Sequence, residues 1–159
     1  MGLRLKDGCD RTMLKIISGG QTGADIAGLT AAKKCGLDTG GFAANGFITE
    51  NGRRPDYAKM YNLIDKQYTY AQRTVENVKA SDATFVFAAN ISSSGTRLTI
   101  GSCIKYGKLH LLNPTVAEIV EFIAKNNPRV INIAGNRESV TPGITARVEK
   151  LLIEAFRRM

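Results

Sequence analysis

Three polar segments of the chain combine glycine with hydroxyl, amide or charged side chains, and this combination is suited to holding an anion. Their sequences are SGGQTGAD at residues 18–25, SSSGTR at 92–97 and GNRESVTPG at 135–143. Glycine lets backbone N–H groups approach an anion closely, and hydroxyls and a helix N-terminus add further donors and positive charge. The chemistry that these segments predict is the binding of a phosphate group.

The same segments lack the signatures of several enzyme classes. Residues 18–25 contain neither the Gly-Lys-Ser/Thr of a Walker loop nor GxGxxG. No acidic residue closes the following strand at residues 40–42, where a dinucleotide site would hold the ribose, so a nicotinamide dehydrogenase is disfavoured. The single histidine, His110, lies among leucines and is interpreted as a core or sheet-edge residue. We therefore assign no catalytic residue and no metal ligand.

Short apolar runs alternate with helical patterns and must position these segments. The predicted strands lie at residues 14–18, 39–43, 83–88, 109–112 and 130–134. Helical patterns follow them, and each glycine-bearing segment lies between a strand and a helix. The alternation predicts an α/β fold with a doubly wound parallel sheet of about five strands and helices on both faces. Ligands bind such sheets beyond the carboxyl ends of the strands, so the three segments are expected to meet at that edge.

Two stretches between these elements carry further expectations. The helix predicted over residues 69–80 has an apolar face of Ala71, Val75 and Val78, and it places Arg73 and Asn77 together on another face. Residues 44–67 are polar and contain the turn signals Asn-Gly and Arg-Pro, so an irregular connection is predicted there. A connection of that length is usually functional or mobile.

Composition limits the classes of protein that the chain can belong to. Its 159 residues suit one domain, taken as residues 13–159, and the patternless residues 1–12 are interpreted as a leader or an expression remnant. No run approaches the roughly 18 apolar residues of a membrane span, and the N-terminus does not resemble a signal peptide, so a cytoplasmic protein without membrane contact is expected. The net charge of +8 favours anionic partners, but no basic-aromatic cluster points to nucleic acid.

Five motifs occur in order from residue 14 to about residue 156. They lie at residues 18–25, 70–74 with 77–78, 81–84, 95–96 with 98–99, and 132–139 with 142–144. This ordered set resembles the molybdenum-cofactor carrier family, which is related to lysine-decarboxylase-like proteins and to cytokinin-activating phosphoribohydrolases. The resemblance implies a Rossmann-like fold, a homo-oligomer, and a pocket for molybdopterin, the phosphorylated pterin of the molybdenum cofactor, or for a related nucleotide.

By position, the resemblance implies that the first two glycine-bearing segments hold the phosphate and that Arg73 and Asn77 lie nearby. The third segment adds two charged residues. The candidate binding residues are Ser18, Gly19, Gly20, Gln21, Thr22, Gly23, Asp25, Arg73, Asn77, Ser94, Gly95, Thr96, Arg137 and Glu138.

The resemblance also bears on catalysis. The related hydrolases carry a PGGxGTxxE motif whose glutamate is needed to cleave the glycosidic bond, and Thr99 holds that place here. Without that carboxylate, general acid–base chemistry lacks an evident agent. We therefore predict a carrier or binding protein rather than an enzyme. The alternative is a nucleotide N-glycosidase that uses Asp25, Arg73 or Glu138.

Overall fold

The computed structural model describes residues 14–159, so the segment interpreted as a leader lies outside the described residues. The strands in chain order are β1 (Lys15–Ile17), β2 (Asp38–Ala44), β3 (Ile48–Thr49), β4 (Gly52–Arg53), β5 (Leu63–Tyr68), β6 (Ala83–Phe87), β7 (Leu109–Leu112) and β8 (Val130–Gly135). The helices are α1 (Ala24–Lys34), α2 (Tyr57–Tyr61), α3 (Tyr70–Lys79), α4 (Ser94–Lys105), α5 (Val116–Asn126) and α6 (Ile144–Arg157). Within this range, none of the helices has the length and apolar character that crossing a membrane requires.

Six of the strands form one parallel sheet in the order β5-β2-β1-β8-β6-β7, and β3 and β4 form a separate antiparallel hairpin. The last strand of the chain, β8, lies in the middle of the sheet. It pairs with β1 through Ile16 and Ile131, and with β6 through Phe85 and Ile133. This arrangement confirms the predicted parallel, Rossmann-like α/β fold.

Helices cover both faces of the sheet, as right-handed crossovers require when the chain moves first towards one edge and then towards the other. Helices α1, α5 and α6 pack together on one face, and α3 packs beside α4 on the other. Small residues of α1 let it lie close to the sheet: a Cβ added at Gly28 would be 2.6 Å from the Cβ of Ile133. The main core lies beneath α1, α5 and α6 and includes Phe85 and Leu152.

The segment predicted as an irregular connection is largely ordered into elements, and this corrects the strand count. It contains a 3₁₀ turn at Asn45–Phe47, the β3-β4 hairpin, α2 and the edge strand β5. Strand β5 buries Leu63 but exposes Ile64 and Lys66. An edge strand that is covered on one side needs no continuous apolar run, so its sequence resembles a loop.

The predicted apolar face of α3 is wrong. Ala71 is exposed and Val75 is only partly buried, whereas Arg73 and Asn77 are buried together with Val78. Burying two polar side chains is tolerated because each finds hydrogen-bonding partners on another element. Helix α3 therefore turns its polar face towards the carboxyl edge of the sheet.

Candidate functional site

A cleft opens between α3 and α4 beside the carboxyl ends of β1 and β8. It encloses about 480 Å³, including its open mouth. Its lining comprises Gly19, Gln21, Asp25, Arg73, Thr74, Asn77, Gly95, Thr99, Asn132, Ile133, Ala134, Gly135 and Arg137. After β6 and after β8, which are neighbours in the sheet, the chain turns towards opposite faces. Ligands of open α/β folds bind beside the carboxyl ends of such a strand pair. The structure thus brings all three glycine-bearing segments to one cleft.

A buried ion pair forms the floor of the cleft. The guanidinium Nη1 of Arg73 lies 2.8 Å from Oδ2 of Asp25, and both side chains are almost fully buried. Arg73 reaches Asp25 across Gly19, where an added Cβ would lie 1.6 Å from Nη1. The absence of a Cβ at this position therefore leaves the space that the arginine side chain needs.

The carboxylate of Asp25 also accepts hydrogen bonds from backbone N–H groups of the first segment. The amide of Gln21 donates to Oδ2 at 3.3 Å, and the amide of Gly19 donates as well. Burial raises the pKa of Asp25, although Arg73 and these amides favour the charged form. Other amides of the segment are bonded within the protein: Gly20 to Ser18 Oγ, Thr22 to Gln21 Oε1, and Ala24 to the Asn136 carbonyl. The first segment thus uses much of its donor capacity on acceptors within the protein.

The second segment presents the start of α4 to the cleft. Ser93 caps the helix, and Thr96 is buried with its hydroxyl bonded to Ser93 and to Asn136. Ser94 and Gly95, in the first turn, are exposed, and Gly95 lines the cleft. The helix N-terminus places partial positive charge there.

Asn136 joins the second and third segments. Its Nδ2 donates to the carbonyl of Asn90, at 3.0 Å, and to the hydroxyls of Ser93 and Thr96. Its Oδ1 accepts from the Asn90 amide, at 2.9 Å, and from the Thr141 hydroxyl. Because Asn136 is buried, this network fixes the relative positions of the two loops at the cleft.

Arg137 and Glu138 are neighbours in sequence but have different surroundings. Arg137 lines the cleft, and its guanidinium carbon lies 5.3 Å from the ring centre of Tyr70, which Arg73 also approaches to 5.6 Å. Glu138 accepts from the Gly143 amide at 2.6 Å and from the amide and hydroxyl of Thr145. These bonds lower the pKa of Glu138 and commit its carboxylate to the start of α6.

Asn77 connects α3 to β2. Its Oδ1 accepts from the Phe42 amide at 2.9 Å, and its Nδ2 donates to the Phe42 carbonyl at 3.0 Å. Several other candidates lie outside the lining and shape the loops instead: Ser18, Gly20, Thr22, Gly23, Ser94, Thr96 and Glu138. At Gly23, an added Cβ would lie 2.2 Å from the Asn136 carbonyl oxygen, so the first and third segments are in close contact.

Two buried polar atoms of the lining have no hydrogen-bond partner among the described residues: Nε2 of Gln21 and Nε of Arg73. Buried donors are almost always satisfied, so these two N–H groups are available to a water molecule or to an acceptor of a ligand. No group of three or more His, Cys, Asp or Glu residues in the described part of the chain could hold a metal ion. Burial raises the pKa of the Cys103 thiol, as expected for a packed helix residue.

Three residues of this region were not assigned a role from the sequence. Tyr70 and Asn136 belong to two of the five ordered motifs, at residues 70–74 and 132–139, but these motifs do not indicate what the two side chains contact. Glu50, at the tip of the β3-β4 hairpin, lies beside the cleft and contacts Thr22 and Ser139. The Asn-Gly signal at residues 51–52 indicates a turn there, yet nothing local indicates where that turn docks.

Comparisons with known proteins agree with the topology. The model of the family described as "cpYpsA: Circularly permutated YpsA SLOG family" matches residues 16–156. The crystal structure of a "Putative molybdenum carrier protein" from Syntrophus aciditrophicus is similar to the chain, with a TM-score of 0.79 and 33% sequence identity over 92% of this chain and 96% of that one. No curated protein sequence gives a significant match. The central position of β8, the last strand, is compatible with a permuted strand order.

Proposed function

The chain belongs to the circularly permutated YpsA SLOG family, and from that premise we propose that it binds and carries a phosphorylated pterin, that of the molybdenum cofactor, or a related nucleotide. The similar protein from Syntrophus aciditrophicus is named as a molybdenum carrier, which supports the pterin as the first candidate. The ligand would occupy the cleft between α3 and α4.

One observation carries this proposal: the cleft contains two buried, unpaired N–H donors, on Gln21 and Arg73, next to a second arginine. Pterins and nucleobases are flat rings with acceptor atoms on their edges, and an amide donor such as Gln21 Nε2 suits those atoms. Arg73 and Arg137 supply positive charge for a phosphate, and the exposed first turn of α4 supplies helix-end amides.

Tyr70 offers a flat aromatic surface beside the cleft. The residue is 38% exposed, and the guanidinium carbons of Arg73 and Arg137, two residues of the lining, lie 5.6 and 5.3 Å from its ring centre. Heterocycles stack on aromatic side chains with little dependence on the identity of the ring. The metal of a molybdenum cofactor would be cargo held by the pterin, and the described residues contain no group of three or more His, Cys, Asp or Glu that could ligate it.

Binding measurements test the proposal directly. Molybdopterin and nucleoside monophosphates should raise the melting temperature of the protein, and Arg137→Gln should weaken binding by about tenfold because one charge-assisted contact is lost. Arg147→Gln, an exposed position on α6, is the matched control and should bind normally. If no phosphorylated ligand shifts the melting temperature, the proposal fails.

A nucleotide N-glycosidase is the second candidate, and the state of Asp25 favours it. Burial raises the pKa of Asp25, which lines the cleft, and raised carboxyl pKa values are frequent among general acids. Glu138 is a poorer acid because its carboxylate is engaged at α6. Release of free base from a nucleoside monophosphate, abolished by Asp25→Asn, would support hydrolysis. Tight binding without release would leave the carrier function alone.

A further inference from the structure

Three hydrogen bonds and one ion pair, from two loops, converge on the Glu50 carboxylate beside the cleft. The hydroxyls of Thr22 and Ser139 both donate to it, and the Ser139 amide donates to Oε2 at 3.2 Å. The Arg137 guanidinium lies 4.0 Å from Oε1, and the Glu50 side chain is only 14% exposed. Hydroxyls, an amide and an arginine are the donor set that proteins use for phosphate.

Glu50 comes to these donors from a separate element. It lies at the tip of the β3-β4 hairpin, in the turn that joins Thr49 to Gly52. Within residues 14–159, the hydrogen bonds that connect this hairpin to the first and third glycine-bearing segments all involve Glu50, including its amide, which donates to Gln21 Oε1 at 2.9 Å. A single residue, through its side chain and its own backbone amide, therefore connects the hairpin to the two segments beside the cleft.

Hydrogen bonds within the hairpin and to the turn before it hold its residues together. Thr49 bonds across the turn to the Gly52 carbonyl at 2.7 Å, and Arg53 bonds back to the carbonyls of Asn45 and Gly46. Gly46 and Gly52 have φ values of 71° and 110°, in the region that glycine adopts without strain. These bonds connect the two strands of the hairpin and tie it to the preceding 3₁₀ turn, and none of them involves the first or the third glycine-bearing segment.

We propose that Thr22, Ser139 and Arg137 form a phosphate subsite that the Glu50 carboxylate occupies in the unliganded protein, and that an incoming phosphate displaces Glu50 and opens the hairpin. A phosphate carries more negative charge than a carboxylate and offers an additional oxygen, so it competes for the same donors. Its departure lets the hairpin close again, which makes Glu50 an internal competitor.

This inference deepens the proposed function, on which it rests in one respect: the phosphate of the cleft's ligand would bind here through Arg137, which also lines the cleft, rather than at the first turn of α4. Inorganic phosphate alone is enough to test it. Because Glu50 reduces the fraction of protein whose subsite is open, removing its carboxylate should raise the apparent affinity for phosphate.

The experiment measures the binding of inorganic phosphate by calorimetry to the native protein, Glu50→Ala and Glu50→Gln. We expect both variants to bind phosphate about tenfold more tightly than the native protein. Glu121→Gln on α5, an exposed position on the other face of the sheet, removes the same charge and should change nothing. Ser139→Ala introduced into Glu50→Ala should reverse most of the gain, because one donor of the subsite is lost.

Hydrogen exchange gives a second readout that does not depend on the stability of the variants. Phosphate should increase exchange at the Glu50 amide of the native protein, because the bond to Gln21 opens. Unchanged phosphate affinity in both Glu50 variants, or phosphate binding that leaves the Glu50 amide protected, would overturn the inference. Pterin or nucleotide binding that persists in that case would leave the proposed function intact. Tighter phosphate binding by the variants, without any pterin or nucleotide binding, would remove the proposed function and keep the subsite.

Discussion

Arg73 on α3 and Asp25 on α1 form a buried ion pair, with Nη1 and Oδ2 2.8 Å apart, although 48 positions separate them in the sequence. The pair joins helices on opposite faces of the sheet at the edge where the cleft opens. Because the two charges lie away from water, each depends on the other for compensation. The pair therefore contributes both to the fold and to the electrostatics of the site.

Replacing Arg73 by methionine should destabilise the protein by about 3–5 kcal/mol, the cost of leaving a buried charge without its partner. Urea denaturation of Arg73→Met measures this change. Arg147→Met, an exposed position on α6, is the control and should lie within about 0.5 kcal/mol of the native protein. A loss as small as that of the control would mean that the pair contributes little.

The loss in Arg73→Met should also depend on pH. Burial raises the pKa of Asp25 above its ordinary value of 3.8, and Arg73 opposes that rise. When folding raises the pKa of a carboxyl group, ionising that group costs more free energy in the folded protein than in the unfolded one. The free energy of unfolding therefore falls as pH rises through the folded-state pKa. Without Arg73 the pKa rises further, so the variant should be more destabilised at about pH 8 than at about pH 4.5. Equal losses at both values would contradict this account.

Gly19→Ala should destabilise the protein by about 1–3 kcal/mol through overpacking, because the new Cβ would occupy the path of the Arg73 side chain. Gly101→Ala in α4 is the matched control, since an added Cβ there meets no atom within 4 Å. It should leave stability unchanged or raise it. Chemical denaturation of both variants measures the difference. In the Arg73→Met background, Gly19→Ala should cost much less, and additive losses would show that the clash is elsewhere.

Asn136→Ala should cost about 3 kcal/mol or more in unfolding free energy, because several buried partners lose their hydrogen bonds at once. Asn126→Ala is the control, since Asn126 is exposed and its amide bonds only within its own helix, to the Phe122 carbonyl. Thermal and urea unfolding compare the two. Asn136→Ala should also weaken ligand binding, because the loops after β6 and β8 lose their common anchor. Similar stabilities for the two variants would remove Asn136 from this role.

Tyr70→Ala should weaken the binding of a nucleoside monophosphate by about tenfold and leave inorganic phosphate binding unchanged, because only the ring stacks on tyrosine. Tyr106→Ala is the control: Tyr106 is 39% exposed, against 38% for Tyr70, and two lysines, Lys79 on α3 and Lys105 on α4, lie near its ring. Calorimetry with both ligands separates ring recognition from phosphate recognition. Equal weakening of both ligands would argue that Tyr70 only positions the arginines.

The alternation of apolar runs and helical patterns was sufficient to predict the parallel α/β fold, because short apolar runs are repeatedly followed by helical patterns along the chain. The five ordered motifs were sufficient to indicate the family, and the comparisons confirm that relationship. The edge strand β5 escaped prediction because it is buried on one side only. The buried face of α3 escaped because Arg73 and Asn77 are polar, and their burial depends on partners in α1 and β2.

By itself, the sequence determined that three glycine-bearing segments follow strands and precede helices, and hence that they meet at one edge of the sheet. Only the tertiary structure decided how their donors are used. Asp25 accepts hydrogen bonds from amides of the first segment, and Glu138 accepts them at the start of α6. Glu50, which lies on a distant hairpin, accepts them from donors of the first and third segments. The physical reason is that a hydrogen-bond partner is chosen by distance and direction in the folded chain, and neither is encoded in the local pattern of residues.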